Sequence, residues 1–414
     1  MEEQIEEAIE KLKEFNQEQI LELLELLNKD ERKIISKQIL ELDFDKINSL
    51  YKELKNKEKI NSDNTEAIIA VNKDKLETSE LEKYNELGKN IICNNQYAVV
   101  TMSGGQGTRL GYDGPKGTFK IDIRPESKYL FEILVDRLKE ANKKYNVTIP
   151  WYIMTSTENN DDIVEFFKLH KYFGYPKESI MFFEQGNLPL ITVDGKLIIG
   201  SNKKIKVAAD GNGGIFQSMF KNSVLEDMKK RNIKWIFIGS IDNVLLKLDD
   251  ITLLGLAEDR KVEIATKSIL KNSPEEKVGA ICKQNGKIRV IEYSEMSEEM
   301  KQKKNKDGEL AFGESHIMCN LFSINALDKL SDKQLPYHIA FKKSDYLNKE
   351  GVIVKVETPN IYKFETFIFD AWKYFDDIAI LRGKREEDFA PVKNATGIDS
   401  PETAIKLYEA YYKI

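Results

Sequence analysis

Apolar residues at the start of the chain recur at intervals of three and four: Ile5, Ala8, Ile9, Leu12 and Phe15, then Ile20, Leu23, Leu24 and Leu27. Glu and Lys fill the positions between them, and no Pro or Gly interrupts. Such spacing gathers apolar side chains on one helical face, so residues 1 to about 55 are expected to be helical. That apolar stripe reads as a packing layer, with partner docking as the alternative. From Asn56 to about Glu80 the chain is polar and reads as a surface connection with short elements. At Tyr97 the period changes. Short continuous apolar runs now alternate with amphipathic segments, the pattern of a mostly parallel sheet covered by helices. Strands are expected at 97–102, 151–156, 180–184, 235–241, 262–268 and 316–324, and helices at 128–142, 160–170, 214–230 and 249–258. Asp194-Gly195 and Asn285-Gly286 mark two hairpin turns, the second inside 278–295. The charged stretch 295–310 reads as a solvated excursion. A strand at 352–357, a helix at 363–378 and a last helix from about Glu402 complete the chain.

Length and charge then narrow the class. A chain of 414 residues has room for two to four modules. They are read as a helical region over 1–90, a catalytic α/β domain over 91–345 and a small region over 346–414. Lys and Arg number 63 against 69 Asp and Glu, a formal charge of −6. A non-specific nucleic-acid binder needs the opposite balance to displace counterions, so that class is set aside. No apolar run reaches the ~18–20 residues that span a bilayer, and the first residues are acidic, unlike a signal peptide. The three cysteines, Cys93, Cys282 and Cys319, are scattered and lack metal-ligand spacing. A disulfide framework and a zinc site are therefore not expected, and a cytoplasmic setting without a membrane partner is.

The densest chemistry lies in VVTMSGGQGTRLGYDGPKG, residues 99–117. A buried strand runs directly into Ser103, Gly104, Gly105, Gly107 and Thr108. Glycines after a strand let backbone N–H groups approach an anion, and Arg109 and Lys116 add two cations to the same loop. In chemical terms it is a cradle for a triphosphate or pyrophosphate. It is not a Walker loop, since no Gly-Lys-Ser/Thr ends it. Nor is it the dinucleotide fingerprint, because Leu110 stands where the last glycine should be.

This spelling, followed by Pro115-Lys116, resembles the signature of the UDP-sugar pyrophosphorylases, and most closely the UDP-N-acetylhexosamine branch. Further blocks agree in order: FFEQGNLPLI (182–191), AADGNGGIF (208–216), Asp242-Asn243, VGAICKQNGKIRVIEYSE (278–295), IYKFETFIFD (361–370) and FAPVKNATG (389–397). The similarity covers roughly residues 80 to 400. It implies a glycosyltransferase-A-like, Rossmann-like mixed sheet flanked by helices, with a helical amino-terminal part and a small carboxyl-terminal α/β part. It also implies the joining of UTP to a sugar 1-phosphate, with release of pyrophosphate, by a monomer or weak homo-oligomer. The attacking phosphate oxygen is already anionic, so the reaction needs no general base. That accords with only three histidines and no Ser/His/Asp arrangement. Catalysis then rests on aligning polyanions and neutralising charge on the leaving group.

By resemblance, Arg109 and Lys116 hold the β- and γ-phosphates of UTP, Lys363 contacts the nucleotide phosphates, and Lys393 grips the sugar phosphate. Asp242 ends a strand run and is the carboxylate implied for Mg²⁺, with Mn²⁺ as substitute; as a bare residue it also fits a turn cap. Gln185 and the backbone of Gly211 are implied for uracil, an amide matching its imide edge. Taken alone, the run 211–214 reads equally as a plain turn. Asn212, Gly279, Glu292, Tyr293, Asn320 and Phe367 are implied for the sugar, with Lys363 opening the helix that carries Phe367. One stretch departs from the family pattern: its N-x-G-N-I-x-N-H appears here as GESHIMCNLF (313–322), with His316 near one asparagine and Asn320 retained. His316 reads as a pocket or strand residue rather than a catalyst. The sugar implied is N-acetylglucosamine 1-phosphate. Glucose or galactose 1-phosphate is the alternative, and a catalytically silent nucleotide-sugar binder is the reading from another class.

Overall fold

The computed structural model describes residues 2–55 and 64–414, so the first part of the polar run after Lys55 lies outside the described residues. The chain forms two compact units, each drawn from three stretches of sequence. The first comprises 1–60, 186–213 and 335–367, the second 61–185, 214–334 and 368–414.

In the first unit the amino-terminal stripe becomes four helices, Glu2–Glu14, Glu18–Leu26, Lys29–Glu41 and Phe44–Lys55. Polar residues end and restart them without Pro or Gly. Asn16 takes a left-handed conformation (φ 53°). Asn28 accepts from the Glu31 N–H while Glu31 reaches back to the Asn28 N–H, both at 3.0 Å, a reciprocal cap. Ala8, Leu12, Ile20, Leu23, Leu24 and Leu27 are buried against Leu188, Ile191, Leu197, Ile199, Ile205, Leu347 and Phe364. The stripe is a packing layer for the 188–205 and 347–364 segments. Asp194-Gly195 turns a hairpin, with the Thr192 N–H bonded to the Lys196 carbonyl at 2.9 Å.

The helix expected at 363–378 is absent. Ile361–Glu365 is a strand, paired antiparallel with His338–Lys342 and Ile191–Thr192, and Ile368–Tyr374 is a 3₁₀ turn. The sequence IYKFE carries β-branched and aromatic residues that favour a pleated surface, and Ile361 and Phe364 are its buried members. Lys363 therefore lies within a strand, and Phe367 follows it outside any helix. The strand expected at 352–357 shrinks to Ile353–Val354.

The second unit is built on one mixed sheet. Its main strands are β1 (Val71–Asn72), β2 (Tyr97–Met102), β3 (Trp151–Thr155), β4 (Ile180–Glu184), β5 (Trp235–Ser240), β6 (Ile264–Leu270), β7 (Ala280–Gln284), β8 (Lys287–Ile291), β9 (Glu314–Ser323) and β10 (Ala379–Arg382), and the short strand Thr65–Ala67 pairs antiparallel with β7. The spatial order is β1-β10-β6-β9-β5-β2-β3-β4, and β7 branches from β9. The block β5-β2-β3-β4 is parallel, whereas β9 runs antiparallel to both β5 and β6. Parallel central strands are covered on both faces, so β2 and β3 are buried throughout. The β7–β8 hairpin turns at Asn285-Gly286, both at positive φ (50° and 79°). The helix expected at 214–230 is two, Ile215–Lys221 and Val224–Lys230, broken where Ser223 takes φ 56°. Among the described residues no helix is long and apolar enough to cross a membrane.

Candidate active site

The register of the parallel block decides where chemistry can gather. Ser240 is level with Met102, Met102 with Met154, and Thr155 with Glu184. All four strands thus deliver their carboxyl ends to one edge, where open α/β sheets bind ligands. Four connections leave that edge: the glycine loop after β2, Ser156 after β3, Gln185 after β4 and Asp242 after β5.

The glycine loop folds on itself. The Gly107 N–H donates to the Gly114 carbonyl (2.8 Å) and the Lys116 N–H to the Gly105 carbonyl (3.1 Å). The Ser103 hydroxyl is engaged at the base of the loop, donating to the Met154 carbonyl at 2.9 Å. Gly104 allows a close approach: a Cβ there would lie 2.3 Å from Gln185 Nε2. The Gln185 amide and the glycine loop are therefore in contact. Gly105, Thr108 and Arg109 are exposed on the outer rim.

Lys116 and Asp242 meet across the edge, Nζ to Oδ2 at 3.2 Å, with 16 % and 18 % of their side chains exposed. Burial alone would raise the Asp242 pKa, but Lys116, and then Lys393, outweigh it and hold the carboxyl below its ordinary range. Asp242 is consequently an anion. The segment bearing Lys393 is tied to this spot by the backbone. The Val392 N–H donates to the Asp242 carbonyl (2.8 Å), and the Ala395 N–H to the Arg109 carbonyl (3.1 Å). Asn243 adds a double clasp: its Nδ2 donates to the Asp388 carbonyl (2.7 Å), and its Oδ1 accepts the Ala390 N–H (2.8 Å). Beneath the segment, fully buried Lys267 pairs with Asp388 (2.7 Å) and with Asp250. Lys393 itself is 3.4 Å from Asp399 and lies over the Phe389 ring.

A second group forms around β7 and β9. A Cβ on Gly279 would meet Val290 and lie 3.3 Å from Glu292 Oε1, and the Gly279 carbonyl accepts the His316 N–H at 3.1 Å. His316 Nε2 and Asn320 Oδ1 are 2.9 Å apart. Asn320 is wholly buried, whereas His316 keeps 7 % of its surface. Tyr293 is exposed. In the first unit, Gly211 (φ 89°) lies against Thr366, and the Gly213 N–H donates to the Thr366 carbonyl at 2.9 Å, which sets the 210–213 turn beside Phe367. Lys363 is ion-paired with Glu365 at 2.9 Å, and His338 stacks on Phe367.

Comparison with known proteins bears on this arrangement directly. A family model described as UTP--glucose-1-phosphate uridylyltransferase matches residues 42–399. The chain belongs to that family. UDP-N-acetylglucosamine diphosphorylase 2 of Arabidopsis thaliana is 35 % identical over 96 % of this chain and 82 % of its own length. UDP-N-acetylglucosamine pyrophosphorylase of Saccharomyces cerevisiae is 38 % identical over 79 % of this chain and 71 % of its own. The match to UDP-N-acetylhexosamine pyrophosphorylase-like protein 1 of Xenopus tropicalis spans 66 % of that relative. Among solved structures, the uridine diphosphate N-acetylglucosamine pyrophosphorylase of Trypanosoma brucei has a TM-score of 0.83 at 27 % identity, covering 98 % of this chain and 84 % of that one. The family's mixed α/β sheet with flanking helices is the fold described above.

Two residues escaped the sequence reading of roles. Asn243 was visible only as the neighbour of Asp242, and its partners lie about 145 residues away. Lys267 sits in a strand run where any long side chain looks like a solvated charge. Only its burial between two aspartates marks it.

Proposed function

We propose that this chain is a UTP-dependent uridylyltransferase that makes UDP-N-acetylglucosamine and pyrophosphate from UTP and N-acetylglucosamine 1-phosphate. An anionic oxygen of the sugar phosphate attacks the α-phosphorus of UTP in line. A new P–O bond forms as the bond to the β-phosphate oxygen breaks, and pyrophosphate departs with the electron pair. No proton has to move, so the residues serve to place and neutralise charge.

The observation that carries this reading is the contact of Lys116 with ionised Asp242, beside the strapped segment of Lys393. Arg109 and Lys116 take the β- and γ-phosphates, and Lys393 takes the sugar phosphate and the developing charge on the α-phosphate. Gln185 reads the imide edge of uracil from beside Gly104. Asp242 fits Mg²⁺ in the manner of sites where one carboxylate is supplemented by water and substrate phosphates. Among the described residues no cluster of three or more acidic, Cys or His ligands competes with that arrangement. The ion's contribution when bound is to neutralise phosphate charge. The three cysteines are free, which supports a reducing, cytoplasmic setting.

The second reading, the same chemistry on glucose or galactose 1-phosphate, is favoured by the description of the matching family model and by the altered 313–322 stretch. One experiment separates the two. Pyrophosphate release is followed with UTP, Mg²⁺ and each of N-acetylglucosamine, N-acetylgalactosamine, glucose and galactose 1-phosphate. Preference for the N-acetylated sugars is expected. Preference for glucose or galactose would move the assignment to the second reading, and silence with all four would overturn both.

A further inference from the structure

Lys267 lies on β6 with 1 % of its side chain exposed, too deep for its ammonium to reach a substrate. It pairs with Asp250 and, at 2.7 Å, with Asp388 Oδ1, and both carboxylates are as deeply buried. Burial opposes the charge, but Asp250 and then Asp388 outweigh it and keep Lys267 an ammonium. Its neighbours Ile264, Ala265 and Ile269 on the same strand are buried and apolar. An apolar side chain of similar volume would hold the sheet at least as well, because the attraction within a buried ion pair is largely offset by desolvation. What the pair adds is direction: it fixes one carboxylate at one point.

Both oxygens of Asp388 are engaged. Oδ1 also meets Lys247 Nζ at 3.2 Å, and Oδ2 accepts the Lys384 N–H at 3.1 Å. A Cβ on Gly383 would collide with Oδ2, so that glycine leaves the carboxylate its room. The main chain of the same residue is bound to the connection after β5. Its carbonyl accepts Asn243 Nδ2 at 2.7 Å, the Ala390 N–H then donates to Asn243 Oδ1, and the Val392 N–H donates to the Asp242 carbonyl. Lys393 is the next residue. Beyond it, the Ala395 N–H is tied to the carbonyl of Arg109, on the exposed rim of the glycine loop. One end of the Lys393 segment thus rests on a buried ion pair and the other on an exposed loop. The buried end is the one that can set where Lys393 stands.

We infer that Asp388, held by Lys267, is a positioning residue for Lys393: its side chain anchors the segment to β6 while its main chain aligns the segment with Asp242. Neither member of the pair touches substrate; both act through Lys393. The inference rests on the proposed uridylyltransferase reading, and the test keeps the two apart.

Full-length wild type, Asp388→Ala, Asp388→Asn and Lys393→Ala, and each Asp388 variant combined with Lys393→Ala, are assayed by pyrophosphate release with UTP, Mg²⁺ and the sugar 1-phosphate that wild type turns over best. Denaturant unfolding is followed alongside. Removing Asp388 strands no buried charge, since Lys267 keeps Asp250 and Lys247 keeps Glu387 at 3.4 Å. Asp388→Ala should lower kcat about tenfold or more, within the roughly hundredfold that a misplacement of about 1 Å costs. KM for UTP should stay within about threefold. Asp388→Asn, which keeps the shape and an accepting oxygen, should lose about three- to fivefold, near the worth of one hydrogen bond. In the Lys393→Ala background either substitution should cost less than about twofold, because the group being positioned is gone. Should Asp388→Ala not fold, the Asp388→Asn cycle decides. Wild-type kcat in a folded Asp388 variant, or a loss undiminished in the Lys393→Ala background, would overturn this inference alone. A wild type silent with every sugar phosphate would overturn the function and this assignment with it.

Discussion

Two regions of the second unit hold their polar groups by opposite means. At the carboxyl ends of β2 and β5 the means is charge: Lys116 against Asp242, with Lys393 acting on the same carboxylate. In β9, where the register against β6 shifts and Met318 takes φ 55°, the means is a neutral, buried, polar network of His316, Asn320 and Thr266. The first suits phosphates, whose charge is the same whichever sugar follows. The second suits neutral groups, whose identity lies in the placement of donors and acceptors. A charged site tolerates error in angle and loses heavily when a charge is removed. A hydrogen-bonded site loses less, but loses it selectively.

The comparison can be broken at several points. The largest effect is expected from Lys393→Ala, which should lower kcat by about 10²–10³-fold, the usual cost of removing one transition-state charge contact. Its KM for UTP should change little; unaltered turnover would remove Lys393 from the charged region. Asp242→Asn should cost at least about tenfold in rate and raise the metal concentration needed for half-maximal activity. A mutant with a normal metal titration would show that another ligand dominates.

The neutral region is tested by pH. Folded His316 has a pKa of about 4 against roughly 6.5 unfolded, so between these values the unfolded chain binds the extra proton. Stability from this group is complete above about pH 6.5 and falls by roughly 1.4 kcal/mol per unit as pH drops toward 4. Denaturant unfolding at stepped pH should show that slope flattened in His316→Phe. Equal slopes would mean that the ring titrates freely and is not held neutral. Asp242 does not interfere: its lowered pKa keeps it ionised through this window, and its contribution is lost only at still lower pH. The smallest effect is expected from Gly104→Ala, whose new methyl would push the flexible end of Gln185 aside. KM for UTP should rise by up to roughly tenfold, the scale of one misplaced hydrogen bond, with the melting temperature nearly unchanged.

The charged region was legible in the sequence because it is spelled locally. Glycines, Arg109 and Lys116 stand in one run, and the strands on either side announce themselves by continuous apolar stretches. The neutral region was not. Nothing in IMC announces a bulge, since Met318 is neither Gly nor Asn, and only pairing with β6 forces it. The helix expected at 363–378 failed for a related reason: aromatic residues fit either period over a short run, and pairing with His338–Lys342 settled Ile361–Glu365 as a strand. Ser223 hid a helix break in the same way.

The clasp between Asp242-Asn243 and residues 388–392 has a consequence for synthesis. The glycine loop and Asp242 are translated long before residues 388–395, which bond back to Arg109, Asp242 and Asn243. A nascent chain that has passed Asp242 but not residue 393 already carries the glycine loop, yet has no Lys393 to act on the Asp242 carboxylate. The charged cluster is therefore completed late, when a few hydrogen bonds join two segments made far apart in time.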